Sequence, residues 1–362
     1  MKSWVARMGT GLAAGVCSAA FAQDGIQLYG IVDAGVECAG GGKGTALRVV
    51  SGNISPSRLG IAGTEQLGGG TSVLFKLENG FAGDTGQARQ GGALFGREAW
   101  VGLAGNYGQV QAGVNDTPLL AIMGTYSLRA LSDGIGSGHA AINFAGPATR
   151  ISRSLRYTSP VINHFTYRLA YGLAVPDATS PRHLGQTAAL SMGYRQRRFS
   201  ADIASLTQTF APVPTALNAH SATAVGSYSE VGASYDFGFI KPALLYQRHR
   251  GGADVATASA VAFSNPHADL YERNATMPAG RALILLSVGQ YRKTADGNGN
   301  ASAFGARYNY PCSVRAVLYA GAAGIRNASA AAFSIKGQSD GGIPVAPGAI
   351  GKALLVGIEQ AC

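Results

Sequence analysis

The stretch Ser57–Val114 constrains the chain most strongly. It consists of short segments in which apolar and polar residues alternate, joined by glycine-rich turns. In Ser57–Gly63, Leu59 and Ile61 fall on one face and Arg58, Gly60 and Ala62 on the other. In Val73–Phe81, Val73, Phe75 and Leu77 share a face that Lys76 and Glu78 oppose. Successive strand side chains point to opposite sides, so this is a sheet with one apolar and one polar face. The turns at Leu67–Gly70 and Gly105–Gly108 are tight, which makes neighbouring strands antiparallel.

A soluble sheet buries its apolar face under a second layer, and no long apolar segment is available here to provide one. Lipid outside and water inside satisfy the same alternation, which points to a transmembrane barrel. Composition agrees. Charged residues make up 13% of the chain, against about 25% in soluble domains. After the N-terminus there is no apolar run of about 20 residues, which excludes helical spans. The 52 glycines are spread without a collagen-like period.

The N-terminus reads as a secretory signal. Lys2 and Arg7 form a basic region, Met8–Ser18 a short core of apolar and small residues, and Ala20-Phe21-Ala22 a cleavage site. Residues 1–22 are expected to be removed, leaving a barrel of residues 23–362 that starts at Gln23. Three cysteines then remain, Cys38, Cys312 and Cys362, an odd number without metal-ligand spacing. Loss of Lys2 and Arg7 lowers the net charge from +10 to +8. The basic residues are dispersed, which argues against nucleic acid as a partner and for a mildly positive lumen. No cofactor or metal is implied.

Gln27–Glu37 is the first strand, with Leu28, Val32 and Val36 opposite Tyr29, Asp33 and Glu37. Cys38–Pro56 reads as a loop. Asp116 to about Ile151 has no strand pattern, and a segment of that kind usually carries function. It contains Arg129, Asp133 and Arg150. Alternation returns at Ser152–Ser159, where Leu155 and Tyr157 oppose Ser154 and Arg156. In Phe165–Tyr171, Phe165, Tyr167, Leu169 and Tyr171 oppose Thr166, Arg168 and Ala170. In Ala303–Tyr310, Phe304, Tyr308 and Tyr310 face outward and Arg307 and Asn309 inward. The count to Ile350–Cys362 is 16 strands. The expected fold is all-β, a 16-stranded antiparallel transmembrane β-barrel with both termini on one rim and a water-filled bore.

LYGIVDAGVE (Leu28–Glu37), SRLGIAGTEQLGGG (Ser57–Gly70), FKLENGF (Phe75–Phe81), LFGREAWVGLAGNYGQVQAG (Leu94–Gly113), SLRYTSP (Ser154–Pro160), FGARYNY (Phe304–Tyr310) and PGAIGKALLVGI (Pro347–Ile358) run in order along the chain. In this set the chain resembles the general porins of the Gram-negative outer membrane, in their betaproteobacterial form. The resemblance implies a homotrimer that passes small hydrophilic solutes and ions, with the third external loop folded inward over Thr117–Arg150. It implies the outer-membrane assembly machinery and outer-membrane lipid, including lipopolysaccharide, as further partners. Carried over residue by residue, Arg58 and Arg97 are wall cations facing loop carboxylates at Asp133 and Asp116. Lys76, Arg156, Arg168 and Arg307 join them by parity, and the excess of cations predicts a weak anion preference. Arg97 shares the parity of Ala99, Val101 and Leu103, so only a bulge or a strand end turns it inward. The family's last strand usually ends in an aromatic residue, whereas this chain ends at Cys362.

A barrel enzyme would need a nucleophile–base or paired-carboxylate arrangement, and His139, His164, His183, His220, His249 and His267 are scattered outside any such motif. A secreted sandwich would need two packed apolar faces. A substrate-specific porin is the alternative nearest to the general one.

Overall fold

The computed structural model describes residues 25–42, 44–127, 149–174, 185–210, 224–251, 267–294, 297–335 and 343–362. The leader 1–22 and the expected loop residue Asp133 lie outside the described residues. Strands β1 (Gly25–Gly40), β2 (Thr45–Ser51), β3 (Arg58–Gly68), β4 (Thr71–Gly80), β5 (Glu98–Gly105) and β6 (Gly108–Asp116) lead into helix α1 (Pro118–Tyr126). There follow β7 (Arg150–Thr158), β8 (Phe165–Gly172), β9 (Thr187–Gln196), β10 (Phe199–Phe210), β11 (Ala224–Tyr235) and β12 (Lys241–Gly251). The chain finishes with β13 (Ala268–Ala279), β14 (Ala282–Lys293), β15 (Ala301–Pro311), β16 (Ala316–Asn327) and β17 (Ile350–Ala361).

Among the described residues every strand pairing is antiparallel, and β1 closes the sheet on β17 from Ile31↔Ala361 to Gly40↔Lys352. The last residue continues this seam: Cys362 N donates to Gly30 O at 3.0 Å. The 17 strands make 16 staves, because β3 pairs with Gly25–Ile31 of β1 and β2 with Ala34–Gly40. The stretch read as a loop, Cys38–Pro56, therefore holds half a stave. The break falls where Gly52 takes φ +73°, a left-handed conformation that glycine adopts without Cβ strain.

The buried Asp33 carboxylate fixes that break. It accepts hydrogen bonds from the backbone N–H groups of Asn53 at 3.0 Å, Ile54 at 2.8 Å and Ser55 at 3.1 Å. Tyr319 on β16 donates its hydroxyl to the same carboxylate at 2.7 Å. A charged acceptor of this kind satisfies donors that a broken strand would leave unpaired.

Residues 69–70, 106–107, 197–198 and 280–281 connect strands on one rim, while the longer connections lie on the other. Short turns face the periplasm in outer-membrane barrels. Most outward positions are apolar, as in Leu28, Val32 and Val36 on β1 and Leu354, Val356 and Ile358 on β17. Beside the short turns the outer face carries touching aromatic rings. Phe165 and Tyr194 lie 4.9 Å apart by ring centroid, and Tyr235 and Phe237 4.6 Å. Such a girdle borders the apolar band of about 25 Å that a barrel presents to lipid.

The interior is not uniformly polar. Leu119, Ile122, Met123 and Tyr126 of α1 are buried against inward Ala170, Ala189, Ala204, Leu206, Tyr228 and Leu245. Beyond β16, Ala331, Phe333 and Ile335 pack on inward Leu270, Tyr291, Ala303, Ile325 and Leu355. Two connections on the long-loop rim thus fold into the barrel and lean on apolar patches of its inner wall. The third external loop is one of them.

Candidate functional site

Helix α1 starts where β6 ends. The Thr117 side chain accepts from Leu120 N at 3.3 Å, and Pro118 occupies the first helical position, where no backbone donor is needed. The apolar run Leu119–Met123 lacks strand alternation and buries one face on the wall. Polar contacts fix its far end. Tyr126 donates to Asp202 Oδ2 at 2.5 Å, Ser127 Oγ to Glu272 Oε2 at 2.7 Å, and Asn274 Nδ2 to Tyr126 O at 2.8 Å. The helix thereby stands on the side of the barrel formed by β8–β12.

The staves β3–β8 carry a continuous charged band. Glu78 on β4 receives a hydrogen bond from the Tyr29 hydroxyl at 2.7 Å and lies 2.5 Å from Arg97 Nε. Lys76 Nζ is 3.5 Å from Glu78 and ion-pairs with Glu98, whose Oε1 accepts from Trp100 Nε1 at 3.3 Å. Arg58 stands within Coulombic reach of Arg97, Glu78 and Glu359. At the far end of β6, Asp116 lies 3.1 Å from Arg150 Nε on β7, near Glu98, Arg97 and Arg156. Arg168 on β8 continues the band toward Arg156, Asp202 and Arg195, and Arg195 is 2.7 Å from Asp202.

Seven of the eight expected residues therefore face the lumen, and six of them gather in this band. Arg307 does not join it. It is buried on β15, donates to Asn309 Oδ1 at 2.9 Å and lies near Asp33 and Glu359. Arg97 precedes the first residue of β5, and that strand-end position frees it from the parity of Val101 and Leu103. Asp116 proves to be a wall residue, paired across β6–β7, and not a loop carboxylate. Glu78, Glu98, Tyr29, Arg150 and Asp202 belong to the same surroundings although sequence reasoning assigned them no role there. Glu78 and Tyr29 are legible as residues of the polar face by alternation, and Arg150 falls at the end of the stretch without strand pattern; Glu98 and Asp202 gain their place only through cross-strand pairing.

The wall carboxylates also change the charge count. Glu78 and Glu98 neutralise part of Lys76 and Arg97. Arg156 and Arg168 have no ion pair among the described residues. Elsewhere on the inner face Glu37 ion-pairs with Arg48, and Glu230 Oε1 accepts from Gln247 Nε2 at 3.0 Å. The positive excess is local to β3–β8. There it faces a wet space narrowed by α1, an arrangement that concentrates anions and orients dipolar solutes.

A closed barrel with lipid-facing apolar staves, a charged lumen and inward-folded external connections defines an outer-membrane channel. A family model described as Gram-negative porin matches residues 9–330, and the chain belongs to that family. It is 29% identical over 378 residues to outer membrane porin protein 32 of Delftia acidovorans, across 95% of this chain and 95% of the relative. An outer membrane porin protein of Bordetella pertussis is 28% identical over 355 residues, across 85% of this chain and 91% of the relative. Among solved structures, the anion-selective porin from Comamonas acidovorans superposes with a TM-score of 0.79 at 25% identity, covering 94% of this chain and 100% of that one. The trimer form of OmpT of Vibrio cholerae has the same fold, with a TM-score of 0.66 at 14% identity over 93% of this chain and 99% of its own. The chain is thus a porin of the Gram-negative outer membrane, and porins are channels.

Proposed function

We propose that this porin works as a homotrimeric diffusion channel for small hydrophilic solutes and ions, with a weak preference for anions. Six inward cations on β3–β8 (Arg58, Lys76, Arg97, Arg150, Arg156 and Arg168) against three carboxylates (Glu78, Glu98 and Asp116) are the observation that carries the preference. In this reading Arg156 and Arg168 supply most of the uncompensated charge, Arg307 adds to the opposite wall, and Asp133 adds acid from the inward loop. The similarity to a porin titled anion-selective supports the same sign. Trimer formation rests on the family. Residues 1–22 act as the export leader, and the assembly machinery inserts residues 23–362 into lipopolysaccharide-containing membrane.

The test is the zero-current potential of single channels in a planar bilayer under a salt gradient. The native porin gives an anion-signed potential that shrinks in the double variant Arg156→Gln/Arg168→Gln. It also shrinks as salt rises, because the screening length falls from about 10 Å at 0.1 M to about 3 Å at 1 M. A cation-signed potential in the native porin sinks the proposal.

A further inference from the structure

A wet bore calls for polar inward positions, and Trp100 breaks that rule at the centre of the charged band. It shares the face of Glu98 on β5, while Val101 and Leu103 are exposed on the outer face. Directly opposite it stand Lys76 on β4 and Gly113 on β6. Leu74, the next inward residue of β4 toward the short-turn rim, is a second apolar side chain there. Both are half-buried. The two apolar patches of the inner wall described above are covered by α1 and by residues 331–335. Among the described residues, Trp100 and Leu74 belong to neither. A large ring left facing the water of a solute passage is a binding surface.

The indole is held by its edge. Its Nε1 donates to Glu98 Oε1 at 3.3 Å, a bond that lies in the ring plane and leaves the faces free. Gly113 has no side chain to cover them from β6. On the β4 side Lys76 ion-pairs with Glu98, and its Nζ lies 5.7 Å from the centre of the Tyr29 ring. On the other side Gly113 pairs with Ser154 of β7, and Arg156 is the next inward residue of that strand. Arg156 has no ion pair among the described residues, and its buried Nε has no hydrogen-bond partner among them. A flat apolar face beside an uncompensated guanidinium matches a solute that carries a carboxylate on an aromatic ring. The ring packs on the indole, offset or edge-on, and the carboxylate accepts two guanidinium N–H groups. A ring-bearing cation would meet Lys76, Arg97 and Arg156 as like charges, and a neutral ring would leave Arg156 unused.

We propose that Trp100 is a specificity-determining residue of this channel: small aromatic carboxylates stack on its indole while Arg156 holds their carboxylate, so that the pore favours them over aliphatic acids of the same charge and size. The inference rests on the anion-preferring reading of the channel and names a solute class for it.

The chain has two tryptophans, Trp4 and Trp100, so porin refolded from residues 23–362 reports Trp100 alone in its indole fluorescence. The probes are benzoate, cyclohexanecarboxylate, which has the same charge and nearly the same size but no flat face, and benzyl alcohol, which has the ring without the charge. In planar bilayers benzoate halves the chloride current of the native channel at a concentration at least about threefold lower than either of the others. In detergent it changes the Trp100 emission over the same concentrations. Trp100→Leu brings benzoate level with cyclohexanecarboxylate, and Trp100→Phe keeps part of the difference. Arg156→Gln weakens both acids and leaves benzoate ahead. A difference between the acids that survives in Trp100→Leu overturns the platform. So does equal block of the native channel by both acids, or native Trp100 emission that aqueous iodide fails to quench, and these two readings need no variant to fold. An anion-signed zero-current potential with equal block sinks only this inference, whereas a cation-signed potential sinks the reading beneath it.

Discussion

Arg97 Nε lies 2.5 Å from Glu78 Oε1, and this pair joins β4 to the residue that enters β5. Glu78 also takes the Tyr29 hydroxyl from β1 and lies beside Lys76. It is one of three counter-charges of the cationic wall, with Glu98 and Asp116. Replacement by glutamine removes that charge while keeping most of the shape. A unit charge at 4 Å in water corresponds to about 1 kcal/mol, so Glu78→Gln is expected to raise the anion-to-cation permeability ratio by up to roughly fivefold. Bilayer recordings at low salt measure it. An unchanged ratio in a folded channel would show that Arg97 and Lys76 stand off the conduction path.

Gly232 on β11 faces the ring of Tyr126. A Cβ at this position would come within 2.1 Å of Tyr126 Cδ2, and Tyr126 is itself buried. The Gly232→Ala variant must push α1 off the wall and strain its contacts with Asp202 and Asn274. Overpacking of this kind costs about 1–3 kcal/mol. We expect a lower midpoint of heat modification on gels and a smaller single-channel conductance, because the helix is displaced toward the bore. Native conductance together with native heat stability would place α1 elsewhere.

Asp33 is fully buried and holds the break between β2 and β3 through three backbone donors and Tyr319. Removing the carboxylate leaves those donors unsatisfied, at a cost of about 1–3 kcal/mol for each one that water does not reach. Asp33→Ala is therefore expected to lower the unfolding midpoint in urea more than Asp202→Ala, which strips one hydroxyl and one exposed arginine of their partner. Refolding yield and the urea midpoint, read by tryptophan fluorescence, decide between the two.

The inward or outward direction of Arg58, Lys76, Arg156, Arg168 and Arg307 could be read from their neighbours, because alternation along a strand is a local property of the backbone. The same reasoning failed at Arg97, where the strand had not yet begun, and over Cys38–Pro56, where a stave is interrupted. It also missed α1, since the apolar run Leu119–Met123 without alternation gives no hint of the surface that covers it.

By itself the sequence determined the barrel: alternating faces, tight turns on one rim, low charge and the absence of an apolar helix leave few other ways to satisfy every backbone donor. Charge pairing was decided only by the tertiary structure. Glu78 meets Tyr29 across 49 residues and Tyr126 meets Asp202 across 76, and such partners are set by ring closure and by where the inward connection lands. Direction along a strand follows from each residue's own backbone, whereas proximity across a closed sheet depends on all the staves at once.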